Sequence, residues 1–282
     1  MESNPLVSVL MTAYNREKYI GEAIESVLAS SLNNFELIIV DDGSMDNTVT
    51  IANNYLAVDN RIKLYVNKAN QGQFANRNIA ASYAKGKYLK YLDSDDYIYP
   101  YSLTMMVDAM EKFPDAGLAF CLTHGPCKKP LPYIVYPEEA LRQHFFEGGL
   151  LFCGPSGLII KKEAFEMVGG FEEFGMPSDN HLTLKIASRF PVVALTRDMF
   201  WWRQHPQQVF NLNIGNHLNV FYNYSYTKSI ITDHASLSVP EKQIIMRNQK
   251  KIFLLNIFRL VFKKGKFREA ASLVFMFKNA NK

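Results

Sequence analysis

The first hundred residues repeat one pattern that leaves few folds open: an apolar run of five or six residues, a short polar cluster, then a stretch with helical spacing. Val7–Met11, Phe35–Val40, Ile62–Val66 and Tyr88–Leu92 read as buried strands. Between them, Ile20, Ala23, Ile24, Val27 and Leu28 share one helical face. A second helix starts at about Asp46 and carries Val49, Ala52, Tyr55 and Leu56; a third runs from about Gln73 to Tyr83 and is broken by Gly86. Strands and helices alternating at this spacing require right-handed crossovers and a mostly parallel sheet, so the chain is expected to be α/β. Ligands of such sheets bind just beyond the carboxyl ends of the strands. The clusters Thr12–Asn15, Asp41–Ser44, Asn67–Gly72 and Asp93–Asp96 are therefore expected to converge on one crevice.

Beyond Pro100 the pattern is mixed. Gly117–Phe120 and Gly157–Ile160 read as strands, Glu138–Phe146 and Lys162–Val168 as helices, with a Gly169-Gly170-Phe171 turn and a helix beginning near Ser178-Asp179. Three segments are expected: residues 1–100, residues 101–230, and 231–282 as a basic amphipathic tail.

Composition narrows the class. With 282 residues, 48% of them hydrophobic and 21% charged, the chain can bury a full core. Met1–Pro5 has no basic stretch followed by an apolar run, and no window of about 18 uncharged apolar residues occurs, so neither a signal peptide nor a membrane span is expected. Three cysteines form no pairing pattern and suit a reducing cytosol. Cys121, His124 and Cys127 lie three apart but lack a fourth zinc ligand, so buried or incidental cysteines are expected there. Charge is unevenly placed: of 31 Lys/Arg and 27 Asp/Glu, residues 247–282 hold ten basic residues and only Glu269 as an acid. That leaves 21 basic and 26 acidic residues in an acidic body, and assigns the basic tail an anionic surface as partner. No nucleic-acid partner is expected.

Asp93, Asp95 and Asp96 crowd three carboxylates at one strand end. A hard cation, Mg²⁺ or Mn²⁺, would relieve their repulsion, since such ions take a few carboxylates together with phosphate oxygens; turn-forming, helix-capping aspartates are the alternative. Asp41-Asp42 offers the same choice between capping and binding a nucleotide base or ribose. Gly-x-x-x-x-Gly-Lys-Ser/Thr is absent, as is a Gly-x-Gly-x-x-Gly after the first strand, so phosphates must be held by metal and side chains.

Four blocks of the sequence resemble family 2 glycosyltransferases. They are Val7-Ser8-Val9-Leu10-Met11-Thr12-Ala13-Tyr14-Asn15, Phe35 to Thr48 with its Asp41-Asp42-Gly43-Ser44, Asn70 to Asn78, and Gly86 to Asp96. Their order and spacing carry the resemblance across about the first hundred residues. It implies a GT-A fold, with residues 1–100 as a nucleotide-sugar-binding half and 101–230 as an acceptor-binding and catalytic half, and an inverting, non-processive enzyme; the Gln-x-x-Arg-Trp motif of processive synthases is absent. It further implies a nucleoside diphosphate sugar donor, a UDP-sugar being expected, a role in cell-surface polysaccharide synthesis, and Mn²⁺ or Mg²⁺ as cofactor.

The resemblance also implies site residues. Thr12, Ala13, Tyr14, Asn15, Asp41, Asp42, Asn70, Gly72, Asp93 and Ser94 would bind the nucleotide-sugar, with Asp95 and Asp93 around the metal. Arg77 would support the nucleotide pocket or the acidic cluster, or else be an exposed helical arginine. Asp179 occupies the position of the catalytic base, although Ser178 stands where the family usually has an acid. His205 would reach the metal or diphosphate, or else pack as a surface histidine. A nucleotidyltransferase and a non-catalytic nucleotide-sugar-binding protein are the rival readings. The acceptor, a sugar or a lipid-linked one, would meet Tyr133, Tyr136, Trp201 or Trp202, unless these are core. Leu254–Phe262, flanked by Lys250, Lys251, Lys263, Lys264, Lys266 and Arg268, reads as a basic amphipathic segment. It would rest on an anionic membrane, at the inner face of the plasma membrane, or pack on the body with a solvated basic face.

Overall fold

The computed structural model describes residues 4–123, 129–206, 208, 216–233 and 236–280. His124 and Cys127 lie outside the described residues; Cys121 is buried.

The amino-terminal half is built from β1 (Val7–Ala13), α1 (Ile20–Leu28), β2 (Phe35–Asp41), α2 (Thr48–Leu56), β3 (Ile62–Val66), α3 (Gln73–Tyr83) and β4 (Tyr88–Tyr91). β1 lies parallel to both β2 and β4, and β2 parallel to β3. Every residue of β2 is buried, which is why this strand reads as a continuous apolar run and not an alternation: helices cover both faces of such a sheet. Three polar residues tie the strand starts together. Ser8 donates to Glu36 at 2.7 Å, Glu36 pairs with Lys63 at 2.6 Å, and the Gly86 N–H donates to the Ser8 hydroxyl at 2.8 Å.

The sheet continues into the second half as β3-β2-β1-β4-β8-β6-β9-β7, with β6 (Leu118–Cys121), β7 (Tyr133–Val135), β8 (Leu158–Lys161) and β9 (Val192–Leu195). β8 runs antiparallel to both β4 and β6, β6 and β9 are parallel, and β7 is an antiparallel edge. The flanking helices are α4 (Ser102–Lys112), α5 (Pro137–Phe146), α6 (Lys162–Met167) and α7 (Ser178–Ala187). β7, β9 and α4 are additions to the expected elements. Val192–Leu195 is four residues long and follows Pro191, too brief a run for periodicity to declare.

A two-stranded antiparallel ribbon matters most for the site. β5 (Tyr97–Ile98) pairs with β10 (Phe200–Trp201), so the segment after β10 is led back to the Asp93–Asp96 turn just before β5. The carboxyl-terminal helices α8 (Leu218–Asp233), α9 (Val239–Phe258) and α10 (Phe267–Asn279) enclose a second core of Phe221, Phe253, Leu260, Ala270 and Leu273. Among the described residues no helix is long and apolar enough to cross a membrane.

Candidate active site

The carboxyl ends of β1, β2 and β4 open onto a cavity of about 1230 Å³. Thr12, Ala13, Tyr14, Asn15, Asp42, Asn70, Arg77, Asp93, Ser94, Asp95 and Asp179 all line it, so the polar clusters do converge on one crevice. Its volume exceeds the roughly 300–1,000 Å³ of ordinary small-molecule sites.

Asp41 and Asp42 part company. Asp41 is fully buried and outside the lining; its carboxylate accepts the Gly43 and Ser44 N–H groups at 3.0 and 2.8 Å and the Ser44 hydroxyl at 2.5 Å. It shapes the turn and does not reach the cavity. Asp42 faces the cavity while accepting from Asn67 Nδ2 at 2.8 Å and from the Gln71 and Gly72 N–H groups at 2.9 and 3.0 Å. Gly72 also lies outside the lining; at φ +90° it starts α3 and steadies Asp42 through its N–H. Asn15, at φ +53°, accepts from the Met45 N–H at 2.9 Å and joins the β1 and β2 turns. Ser94 donates to the Thr12 carbonyl at 2.9 Å, closing β4 onto β1.

Each acidic side chain beyond β4 has its own compensation. Asp95 Oδ2 lies 3.1 Å from Arg16 Nε and 3.0 Å from His205 Nε2. Asp93 is bound by Arg77 at 2.8 Å. Asp96 is buried, and burial first, then the Asp93 charge, pushes its carboxyl well above the usual aspartate value. Asp96 also accepts the Arg203 N–H at 3.2 Å, and Arg203 Nε donates to the Asp95 carbonyl at 2.9 Å. Beneath the turn, buried Lys90 donates to the Tyr91 and Ser156 carbonyls at 2.7 and 2.5 Å; burial pushes its ammonium down to about 8.

Arg77 is the hub of the second carboxylate pair. It is 1% exposed, on the inward face of α3, and its guanidinium lies 5.5 Å from both the Phe74 and Phe171 ring centroids. One terminal nitrogen binds Asp93 and the other Asp179. Burial opposes its charge, but Asp179 and Asp93 hold its pKa above the ordinary arginine value. Asp179, in the first turn of α7, keeps 22% of its side chain exposed. Burial raises its carboxyl to about 6, against the lowering pull of Arg77. Ser178 is fully buried: its hydroxyl donates to the Gly175 carbonyl at 2.8 Å and accepts the Phe174 N–H at 2.7 Å. The residue in the usual acidic position thus secures the turn before α7, outside the cavity lining. Neighbouring Asn180 lines the cavity; its amide donates to the Tyr226 hydroxyl at 2.7 Å, while its buried Oδ1 accepts nothing from the described residues.

Among the described residues no three His, Cys, Asp or Glu side chains form a cage for a cation. Asp95 and His205 do offer a hard oxygen and an imidazole nitrogen at one point, a donor pair that suits Mg²⁺ or Mn²⁺ completed by phosphate oxygens. Of the aromatic residues considered for the acceptor, Trp202 lines the cavity; Tyr133, Tyr136 and Trp201 do not. Phe152, half exposed, and Arg16 line it without having drawn notice in the sequence.

The family model "Glycosyl transferase family 2" matches residues 8–169. An uncharacterized glycosyltransferase of Haemophilus influenzae is 47% identical over 125 residues, which are 43% of this chain and 50% of that protein. The putative glycosyltransferase EpsE of Bacillus subtilis is 44% identical over 113 residues, 40% of this chain and 41% of that protein. The chain therefore spans about half or less of these relatives. Among solved structures, S. aureus TarS 1-349 in complex with UDP-GlcNAc superposes with a TM-score of 0.69 at 20% identity, over 91% of this chain and 73% of that one. Mannosyltransferase PcManGT from Pyrobaculum calidifontis, in complex with GDP-Man and Mn²⁺, gives 0.63 at 18% identity over 96% and 74%.

Proposed function

The chain belongs to glycosyl transferase family 2, and on that premise we propose that it moves a single sugar from a nucleoside diphosphate sugar to an acceptor hydroxyl, with inversion at the anomeric carbon. The observation that carries this reading is the meeting of Asp42, Asp93, Asp95 and Asp179 on one cavity, although they lie up to 137 residues apart in the chain.

The nucleotide enters along Thr12, Ala13, Tyr14 and Asn70, with Asp42 accepting from the base or ribose. Since Asn67, Gln71 and Gly72 fix both Asp42 oxygens, that acceptor is already aimed before the donor arrives. A UDP-sugar is the proposed donor, the class that TarS holds on the same fold. Asp95 and His205 would hold Mn²⁺ or Mg²⁺, with Asp93 beside it; when bound, the cation neutralises charge that grows on the departing diphosphate. Arg16 lies on the same Asp95 oxygen and is placed to turn towards the diphosphate.

Asp179 accepts the proton of the acceptor hydroxyl as that oxygen attacks the sugar carbon. Its carboxyl is raised towards 6 by burial, which makes it a stronger base than an exposed aspartate while leaving it ionised at neutral pH. Arg77 fixes its direction. Trp202 or Phe152, both on the cavity lining, is suited to cover a sugar ring of the acceptor.

Incubating the chain with UDP-, GDP- and dTDP-sugars, with and without Mn²⁺, tests the reading. Free nucleoside diphosphate that appears with Mn²⁺ and is lost on Asp179→Asn supports it. Release of pyrophosphate would make the chain a nucleotidyltransferase, and donor binding without turnover a nucleotide-sugar-binding protein.

A further inference from the structure

The carboxyl-terminal helices carry apolar side chains on two opposite sides. One side of α9 and of the π turn that extends it, Arg259–Lys263, is accounted for: Ile245, Phe253 and Leu260 are buried, the last two in the second core. On the other side Leu254, Leu255, Phe258 and Phe262, at steps of one, three and four residues, are 50%, 46%, 53% and 72% exposed. The rings of Phe258 and Phe262 pack on each other with centroids 4.5 Å apart. α10 repeats the arrangement: Ala270 and Leu273 are buried, whereas Phe267 and Phe275 are 65% and 67% exposed. Single exposed apolar residues are ordinary, but a helix apolar on both sides is normally covered on both.

Charge identifies what covers this one. Lys250, Lys251, Arg259, Lys263, Lys264, Lys266 and Arg268 surround these residues and are all exposed; Glu269 is the one acid between residues 247 and 282. Large apolar side chains ringed by Lys and Arg, on helices too polar to span a bilayer, are the pattern of a segment that lies in the interface of an anionic membrane. A protein groove would have to be both apolar and strongly acidic to match it.

We propose that the outward side of α9, the π turn and α10 docks on an anionic phospholipid surface, with Phe258 and Phe262 in the headgroup–acyl boundary and the lysines of residues 250–266 on lipid phosphates. This does not depend on the sugar-transfer reading, since it uses no residue of the cavity.

Flotation of the full chain with phosphatidylcholine vesicles, alone or containing phosphatidylglycerol, tests the proposal. Binding is expected to the anionic vesicles alone and to weaken with salt. Each basic charge near an anionic leaflet strengthens binding about fivefold, so Lys263→Gln, Lys264→Gln and Lys266→Gln together should lower partitioning on the order of 100-fold. Phe258→Ser with Phe262→Ser should abolish flotation while the thermal midpoint stays within a few degrees, because neither ring is buried. No flotation with anionic vesicles, equal flotation with neutral ones, or wild-type flotation of either variant would overturn the proposal. So would a lipid-independent dimer, seen by sedimentation, that the phenylalanine variant dissolves.

Discussion

Arg77→Met removes the buried cation between Asp93 and Asp179 and retains most of the side-chain volume between Phe74 and Phe171. Breaking a buried ion pair from one side costs about 3–5 kcal/mol, because the carboxylates stay behind. Asp93 and Asp179 keep 35% and 22% of their side chains exposed, and water there places the loss near the lower end, about 3 kcal/mol at pH 7.5. The pH dependence is more diagnostic. In the wild type Asp179 titrates at about 6 when folded, above the ordinary aspartate value of 3.8. The folded state therefore binds more protons than the unfolded one between these values, and this residue's contribution to stability grows as pH falls. Between pH 7.5 and 5.5 the gain is about 0.8 kcal/mol. Without Arg77 the lowering influence on Asp179 is gone and its carboxyl rises further. If it rises beyond 7.5, the gain over the same interval approaches two pH units at 1.36 kcal/mol each, about 2.7 kcal/mol. The buried histidines act in both proteins and drop out of the difference. Urea unfolding of both proteins at the two pH values should thus show a deficit of about 3 kcal/mol that narrows by about 2 kcal/mol on acidification. A deficit below 1 kcal/mol, or one that does not change with pH, would refute the view of Arg77 as the cation that keeps Asp179 ionised.

Asp179→Asn should lower turnover by about 10²–10⁴ in protein that remains folded, although Arg77 loses one of its two carboxylate partners, and the wild-type kcat/KM should fall on acidification with a midpoint near 6 as the base takes up its proton. A profile flat down to pH 5 would remove Asp179 as base. Because Arg16 and a cation would share Asp95 Oδ2, Arg16→Gln should tighten Mn²⁺ binding several-fold in an electron paramagnetic resonance titration without donor, and Asp95→Ala should abolish it. Weaker binding in Arg16→Gln would contradict the competition. Gly86→Ala should cost about 1–3 kcal/mol in urea unfolding, because the new Cβ would stand 2.5 Å from the Ser8 nitrogen and 2.8 Å from the Val7 carbonyl carbon, backbone atoms in the middle of the sheet.

What could be read from the sequence, and what could not, follows from the range of the interactions. Strand order in the first half is a local matter: apolar runs of fixed length, crossover helices and a common handedness leave one way to bring the ends of β1, β2 and β4 to the same edge. The convergence of the aspartates then follows. Which of two adjacent aspartates faces the ligand does not, because side chains alternate along a strand and one residue more or less exchanges Asp41 for Asp42. The choice between a buried and an exposed Arg77 was legible too: Phe74, Arg77, Ala80 and Ala81 fall at helical spacing and are all buried, so a charge on that stripe had to meet opposite charge. Arg16 gave no such signal, and His205 gave one only through the resemblance to the family. They reach Asp95 across 79 and 110 residues, His205 by way of the β5–β10 ribbon, whose two-residue strands leave no periodic mark. The outward apolar side of α9 is a separate case, since its phenylalanines were visible as residues while their exposure was not. A helix with two apolar faces gives no single stripe, so only the packing of α8 and α10 reveals which face the protein has used and which it leaves for a partner.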